Sequence, residues 1–328
     1  MASAARYVCR SSGTRPSDGT AATCAPGRAG SLSHVDSTEL PETLVSPAWL
    51  AGHLGPPVVV LDATVILPPP RLDGDYRPHD ARERFAAGHI PGARYADLLG
   101  DLSDATARYH FARPAASELG AALERLGVSD SSLVVAYDSE GGVWAARLWW
   151  MLRWIGVPAA VLDGGYRAWL ASGGATESGV PPAAGPGAAH AGTLTPREAP
   201  GMWADRAEVS QVVTGTRAGT LVCALSAELF AGTTPTRYSR RGHIPASLSI
   251  PARELLTSDG RMRAGAELRQ ATAGLPADAP VTVYCGGGIS AAVVAQALTI
   301  IGREDVAIYD GSLEEWSADP DLPLELGR

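Results

Sequence analysis

The sequence has 328 residues and a formal net charge of −8. A chain of this length usually divides into more than one core, so two domains are expected. Its hydrophobic fraction of 45% and charged fraction of 19% are those of a globular protein. The acidic balance provides no basic surface for phosphates, and no apolar run is long enough to span a bilayer. Nucleic acid and membrane are therefore not expected as partners.

Residues 1–40 are rich in Ala, Ser, Gly and Arg and lack the apolar core of a secretory signal. We interpret this segment as a disordered tail or as the product of an over-extended start, with Val35 as a candidate first residue. An organelle-targeting segment is the alternative, because arginines outnumber acidic residues there.

The chain contains four cysteines, Cys9, Cys24, Cys223 and Cys285. They form no CxxC pair and lie near no cluster of histidines in the sequence. This spacing predicts neither a disulfide framework nor a metal site. A reducing compartment, and so a cytoplasmic location, is expected.

The same motifs occur twice along the chain. A Gly-His-Ile-Pro motif begins at Gly88 and again at Gly242. In each copy an apolar run of buried-strand character follows and ends at a tyrosine, then comes a glycine-containing turn, and then an Ala-rich helical stretch. The apolar runs are 132–137 and 280–284, and the helical stretches are 144–155 and 291–301.

A further strand then reaches an Asp-Gly motif in both copies, at Asp163 and at Asp310. The residue after the tyrosine, Asp138 in the first copy and Cys285 in the second, precedes that aspartate by 25 residues in each case. Equal spacing together with the shared order of motifs indicates a duplicated unit.

Strands that alternate with helical stretches indicate βαβ units and a parallel sheet covered on both faces. We therefore predict an α/β fold with two tandem domains, each a mainly parallel sheet flanked by helices. The predicted domains are residues 41–177 and 201–328, and the Pro- and Gly-rich segment 178–200 is the linker. Trp149, Trp150 and Trp154 have helical spacing and are expected to pack in the core or between domains.

These motifs resemble those of the tandem rhodanese family of thiosulfate and 3-mercaptopyruvate sulfurtransferases, over about residues 44–326. In that family the N-terminal copy has commonly exchanged its cysteine for aspartate, and Asp138 matches this pattern. The resemblance implies two rhodanese-like domains of which only the second is catalytic. It also implies chemistry without a metal or an organic cofactor.

Cys285 lies where a predicted strand ends, and it is followed by Gly286, Gly287, Gly288, Ile289 and Ser290. Successive glycines permit the backbone angles by which consecutive N–H groups point inward as an anion-binding nest. The nest and the following helix N-terminus favour a thiolate and then an anionic persulfide. We therefore predict that Cys285 is the catalytic nucleophile and that these five residues form its active-site loop; an inert buried cysteine is the alternative.

The resemblance implies a double displacement in which sulfane sulfur passes from 3-mercaptopyruvate or thiosulfate to Cys285, and then to a thiol, cyanide or reduced thioredoxin. The alternative is a relay protein that delivers persulfide sulfur to a biosynthetic partner with little free turnover. A cysteine phosphatase or arsenate reductase needs an arginine at the far end of the loop, where this chain has Ala291 and Ala292. A catalytically dead binding module is a third alternative, against which Cys285 argues.

The loop favours the mercaptopyruvate branch of the family. Thiosulfate enzymes of the family carry Cys-Arg-Lys-Gly, and mercaptopyruvate enzymes carry Cys-Gly-Ser-Gly; Gly286 matches the second pattern, whereas Gly287 replaces its serine. That serine is proposed to act with a histidine and an aspartate that align with His89 and Asp80, which makes these two residues candidate acid/base groups. The alternative for His89, and for His243, is a structural turn.

Recognition of an anionic donor calls for arginine, whose planar fork suits carboxylates and sulfonates. Relatives use an arginine just before the second Gly-His-Ile-Pro turn, and we predict that Arg237 and Arg240 bind the donor; a solvated charged loop is the alternative. A second family arginine, in an Arg-Phe-x-Gly sequence, is replaced by Leu229. Cys223 ends an apolar run and is predicted to be a buried thiol and not a resolving cysteine.

Overall fold

The computed structural model describes residues 40–180 and 192–327. The predicted N-terminal tail up to residue 39 and linker residues 181–191 lie outside these described residues. Within them, the chain forms two five-stranded parallel sheets and one two-stranded antiparallel ribbon, with helices on the faces of both large sheets. No helix in the described part of the chain has the length and apolar character needed to cross a membrane.

The first sheet has the strand order β1-β7-β6-β2-β5, and all of its pairs are parallel. Its strands are β1 (Leu44–Val45), β2 (Val58–Asp62), β5 (Arg94–Tyr95), β6 (Leu133–Tyr137) and β7 (Ala159–Leu162), and the ribbon is formed by β3 (Val65–Ile66) and β4 (His79–Asp80). The helices of this half are α1 (Pro47–Ala51), α2 (Arg82–Ala87), α3 (Ala116–Arg125), α4 (Val143–Trp154) and α5 (Gly165–Ala171). Every residue of β2 and β6 is buried, as expected for central strands of a parallel sheet.

The second sheet has the order β10-β9-β11-β12-β8 and is also parallel. Its strands are β8 (Trp203–Ala204), β9 (Thr220–Cys223), β10 (Leu248–Ser249), β11 (Val281–Tyr284) and β12 (Val306–Tyr309). Its helices are α6 (Arg206–Val213), α7 (Ala227–Ala231), a 3-10 turn (Ala252–Leu255), α8 (Gly265–Ala271), α9 (Ile289–Ile300) and α10 (Ser312–Ala318). Taken from β8 to β10, this order repeats that of the first sheet, so the predicted duplicated α/β architecture is confirmed.

The two halves pack against each other through α4 and α9. Most of α9 is apolar, and its residues from Ile289 to Leu298 are buried with the exception of Ser290. Trp149, Trp150 and Trp154 of α4 are buried as predicted, and Trp150 donates a hydrogen bond from Nε1 to the Met202 carbonyl at the start of the second half. A helix that is apolar on most sides is stable only when both its own sheet and a neighbour cover it.

The described ends of the predicted linker lie along the first half. Gly179 donates its amide to the Ala86 carbonyl, and after the undescribed residues Arg197 and Ala199 donate theirs to Ile155 and Trp154. The positions of the domain boundaries stay a prediction.

Candidate active site

Cys285 directly follows β11 at the carboxyl edge of the second sheet, the edge at which open α/β sheets bind ligands. The loop turns into α9 at Gly288, whose φ of 74° is one that residues with a side chain rarely adopt. Cys285 is only 2% exposed. The predicted nucleophile therefore lies inside the molecule, at the N-terminus of α9.

Ser312, at the start of α10, holds the Cys285 loop in place. Its Oγ accepts the amides of Cys285 at 3.2 Å and Gly288 at 3.0 Å, and it donates to the Tyr309 carbonyl at 2.8 Å. Ser312 is fully buried and has a φ of 49°, a strained conformation for a residue other than glycine. We did not predict this residue from the sequence, although it belongs to the second Asp-Gly motif.

The corresponding loop of the first copy shows what such a turn binds. The Asp138 carboxylate accepts the amides of Glu140 and Gly142 on one oxygen and those of Trp144 and Ala145 on the other, all at 2.8–2.9 Å. Burial raises the pKa of Asp138, and these four amides act in the opposite direction. The acceptor group at this position of the first copy is therefore surrounded by backbone donors.

Two tyrosines line the Cys285 loop, and they come from different halves of the chain. A Cβ on Gly286 would lie 1.5 Å from the Tyr238 hydroxyl, and a Cβ on Gly287 would lie 3.3 Å from the Tyr76 hydroxyl. Burial raises the pKa of both phenols, and the nearby Cys285 adds to the effect. Both rings are therefore neutral, and the site lies between the two domains.

His110 and Glu314 form a second contact between the halves beside the same loop. His110 Nδ1 lies 2.5 Å from Glu314 Oε1, and the His110 amide donates to Oε2 at 3.2 Å. Glu314 Oε2 is 3.6 Å from the position of a Cβ on Gly287. Burial raises the pKa of Glu314, while the bonds from His110 lower it. Neither residue is predicted from the sequence.

A buried ion pair lies behind the loop. Arg147 of α4 is 1% exposed, and its Nη2 donates to Asp310 Oδ1 and to the Phe111 carbonyl, both at 2.7 Å. Asp310 accepts the Arg113 amide on its other oxygen. Arg147 therefore connects first-domain segment 111–113 to the strand end that precedes Ser312.

The two arginines predicted to bind the donor have different surroundings. Arg237 lies near Tyr76 and Tyr238, and its charge acts to lower the pKa of both phenols. It donates from Nη2 to the Pro68 carbonyl at 2.8 Å and has a buried Nε without an acceptor among the described residues. Arg240 instead donates to the carbonyls of Trp316, Ser317, Asp319 and Leu322 at the end of α10. The N–H groups of its guanidinium already donate to these carbonyls. We therefore revise the prediction for Arg240 from donor binding to a structural role.

His89 and Asp80 are not brought to the cysteine loop by any contact that the structure gives them. The His89 ring stacks on Phe85, and its Nδ1 is hydrogen-bonded to the Phe85 carbonyl. The His89 backbone pairs with the backbone of Glu177. His243 does the same with Phe230 and Glu325, and the exposed Asp80 accepts the amide of Arg82. These contacts repeat at both turns, including the one without a catalytic proposal, so they favour the structural alternative over the acid/base prediction.

The remaining described cysteine is inert in its surroundings. Cys223 is fully buried at the end of β9, and burial raises the pKa of its thiol to about 12. This agrees with the prediction of a buried thiol. Among the described residues, no group of three or more His, Cys, Asp or Glu side chains is arranged to hold a metal ion.

Comparison with known proteins agrees with this geometry. A model of the rhodanese-like domain matches residues 46–172 and 227–319. The chain belongs to the rhodanese-like family. It is 32% identical to the 3-mercaptopyruvate sulfurtransferase of Rattus norvegicus over 304 residues, which are 88% of this chain and 97% of the relative. It is also 32% identical to the thiosulfate sulfurtransferase of Mus musculus over 309 residues, covering 87% and 96%.

A solved structure gives the same result. SseA from Escherichia coli, described as a 3-mercaptopyruvate sulfotransferase with the rhodanese fold, matches with a TM-score of 0.71 and 29% identity, covering 82% of this chain and 98% of that one. This rhodanese-like protein is therefore a sulfurtransferase. The names of its relatives divide between two sulfur donors, so the donor has to be argued from the site.

Proposed function

We propose that the protein moves sulfane sulfur from 3-mercaptopyruvate or thiosulfate to a thiol or cyanide through a persulfide on Cys285. The observation that carries the proposal is the geometry of the Asp138 loop, together with the equivalent position of Cys285 in the duplicated unit. Asp138 accepts four backbone amides in the first copy, and Cys285 occupies the same place in the second. Backbone donors at a helix N-terminus stabilise a thiolate and a terminal persulfide sulfur in the same way.

In the first half-reaction the Cys285 thiolate attacks the outer sulfur of the donor and forms the new S–S bond. The bond between that sulfur and the rest of the donor breaks, and its electron pair leaves with sulfite or with the enolate of pyruvate, which then takes up a proton. In the second half-reaction the acceptor thiolate or the cyanide carbon attacks the outer sulfur, and the electron pair of the S–S bond returns to Cys285.

Arg237 supports the binding of the donor anion. Its buried Nε has no acceptor among the described residues, and a buried guanidinium N–H without an acceptor is costly. A carboxylate or sulfonate oxygen bound beside Cys285 would satisfy it. Arg240 is left out of this proposal because carbonyl groups already accept its hydrogen bonds.

The burial of Cys285 favours a small acceptor over a protein. Tyr76 and His110 of the first domain lie beside a cysteine that is 2% exposed. Reduced thioredoxin, or the biosynthetic partner of a relay protein, would reach the persulfide only after these side chains moved. Fast turnover with a small thiol would support the enzyme, and a stable persulfide with negligible turnover would support the relay.

Intact mass spectrometry tests the proposal. Treatment with mercaptopyruvate or thiosulfate should add one sulfur, about 32 Da, as expected for persulfidation of a cysteine. Cys285→Ser should abolish the adduct, and Cys223→Ser is the matched control that should keep it. The proposal fails if neither donor adds sulfur or if the adduct maps to a different cysteine.

A further inference from the structure

Glu314 places a carboxylate beside Gly287 of the Cys285 loop. It is the third residue of α10, its side chain is 14% exposed, and its Oε2 lies 3.6 Å from the position of a Cβ on Gly287. Gly287 is two residues from Cys285 and has no side chain to shield one group from the other. We therefore expect a donor that reacts at Cys285 to bind on the same side of the loop as this carboxylate.

The other charges around the loop are nearly balanced before a donor arrives. Arg147 is paired with Asp310, and His110 Nδ1 lies within hydrogen-bond distance of the Glu314 carboxylate. Tyr76 and Tyr238 are neutral, since burial raises the pKa of both. Arg237 has a buried Nε without an acceptor among the described residues, so it is suited to offset one negative charge of a donor.

The glycines of the loop leave the second charge of a dianion without compensation. Neither Gly286 nor Gly287 supplies a cation, and Tyr238 lies so close to Gly286 that a side chain there would overlap it. Two like charges a few ångströms apart in a partly buried site repel each other by more than thermal energy. A dianion bound beside Glu314 is therefore penalised more than a monoanion.

We propose that Glu314 selects the sulfur donor by charge, favouring a monoanionic thiol such as 3-mercaptopyruvate over the thiosulfate dianion. This inference rests on the proposed function, because it needs a donor that reacts at Cys285. Glu314 acts here by its charge at the donor site and not by proton transfer.

The inference is tested by the ratio of kcat/KM for thiosulfate to kcat/KM for mercaptopyruvate in the Glu314→Gln variant. With cyanide as the common acceptor, kcat/KM is measured for thiosulfate and for mercaptopyruvate. The substitution keeps the shape of the side chain and removes the charge, so the thiosulfate to mercaptopyruvate ratio should rise about ten-fold, as expected for one screened charge near the site. Glu304→Gln makes the same change in net charge at an exposed residue before β12 and should leave the ratio unchanged.

If Glu314 had only a structural role, Glu314→Gln would lower kcat/KM for both donors and leave the ratio between them unchanged. A ratio that stays constant or falls in Glu314→Gln overturns the inference, and Glu314→Ala provides a second variant with the same expected direction if the first does not fold. Sulfur uptake by the unaltered protein is measured separately by mass. If Cys285 takes sulfur from neither donor, the proposed function fails and the inference fails with it; if it takes sulfur from both, the ratio alone decides.

Discussion

At the scale of single residues, Gly286 is the position of the loop with the least space. A Cβ there would lie 1.5 Å from the hydroxyl of Tyr238, which is buried and has little room to move. Gly286→Ala should therefore displace either the tyrosine or the loop, and overpacking of this kind typically costs about 1–3 kcal/mol of stability. We expect persulfide formation to slow by about 10²-fold, since a shift of about 1 Å near reacting atoms has that effect.

Stopped-flow or quenched mass measurement of persulfide formation, together with urea unfolding, checks this prediction. Gly274→Ala is the matched control, because a Cβ at that exposed glycine would meet nothing within 4 Å. If Gly286→Ala forms persulfide as fast as the control, the close contact with Tyr238 is not present in solution.

The residues that could be predicted at this site are those whose signals are local in the sequence. Cys285 follows an apolar strand and precedes three glycines, and the first copy provides a second example of the same turn. Tyr76, His110 and Glu314 could not be predicted in this way, because domain packing brings them together from distant segments. Ser312 lies in the repeated Asp-Gly motif, so the sequence draws attention to its segment. Its left-handed backbone conformation, however, has no signature in the sequence.

At the scale of elements, α4 contains one buried charged residue among buried apolar residues. Arg147 is buried among tryptophans and pairs with Asp310 at the end of β12. Removing one member of a buried pair leaves the other charge uncompensated and costs about 3–5 kcal/mol. Arg147→Met should therefore destabilise the protein by about this amount in urea unfolding.

A double-mutant cycle separates stability from function at this pair. Arg147→Met with Asp310→Asn removes both charges, and much of the lost stability should return. The rate of persulfide formation should stay low, because Arg147 also holds the Phe111 carbonyl next to His110. Arg153→Met is the control on the same helix, where the guanidinium lies over the Trp149 and Trp150 rings and, among the described residues, its hydrogen bond is to the Thr299 hydroxyl, so the expected loss is about 1 kcal/mol. Recovery of full activity in the double variant would contradict this role.

Most elements were predictable because their periodicity is strong. The strand expected at 132–137 is Leu133–Tyr137, and the helix expected at 144–155 is Val143–Trp154. The second helix begins at Ile289, two residues before the predicted start, because Gly288 already forms its N-terminal cap. The edge strands β5 and β10 have two residues each, too few for a periodic pattern to show.

At the scale of the whole molecule, the duplication predicts two domains but not the position of the site between them. The described residues, 40–180 and 192–327, belong to one compact unit, and the first domain contributes Tyr76 and His110 beside the Cys285 loop and Arg147 behind it. The first domain, whose loop has no cysteine, is therefore expected to support the reaction at Cys285 in the second domain. A test of this expectation distinguishes a first domain that only stabilises the fold from one that also contributes to the reaction at Cys285.

A fragment of residues 201–328 tests this dependence. Without the first domain, the face of α9 that packs on α4 becomes exposed, and the Cys285 loop loses Tyr76, His110 and the Arg147 pair. An exposed apolar face of this kind favours association, so the fragment should be partly aggregated, and its soluble fraction should form persulfide at least about 10²-fold more slowly. Adding a fragment of residues 38–200 should restore part of the rate if the two halves reassemble. Persulfide formation by the isolated second domain at the rate of the full chain would show that the first domain is not needed, because the Cys285 loop alone would then hold its reactive geometry.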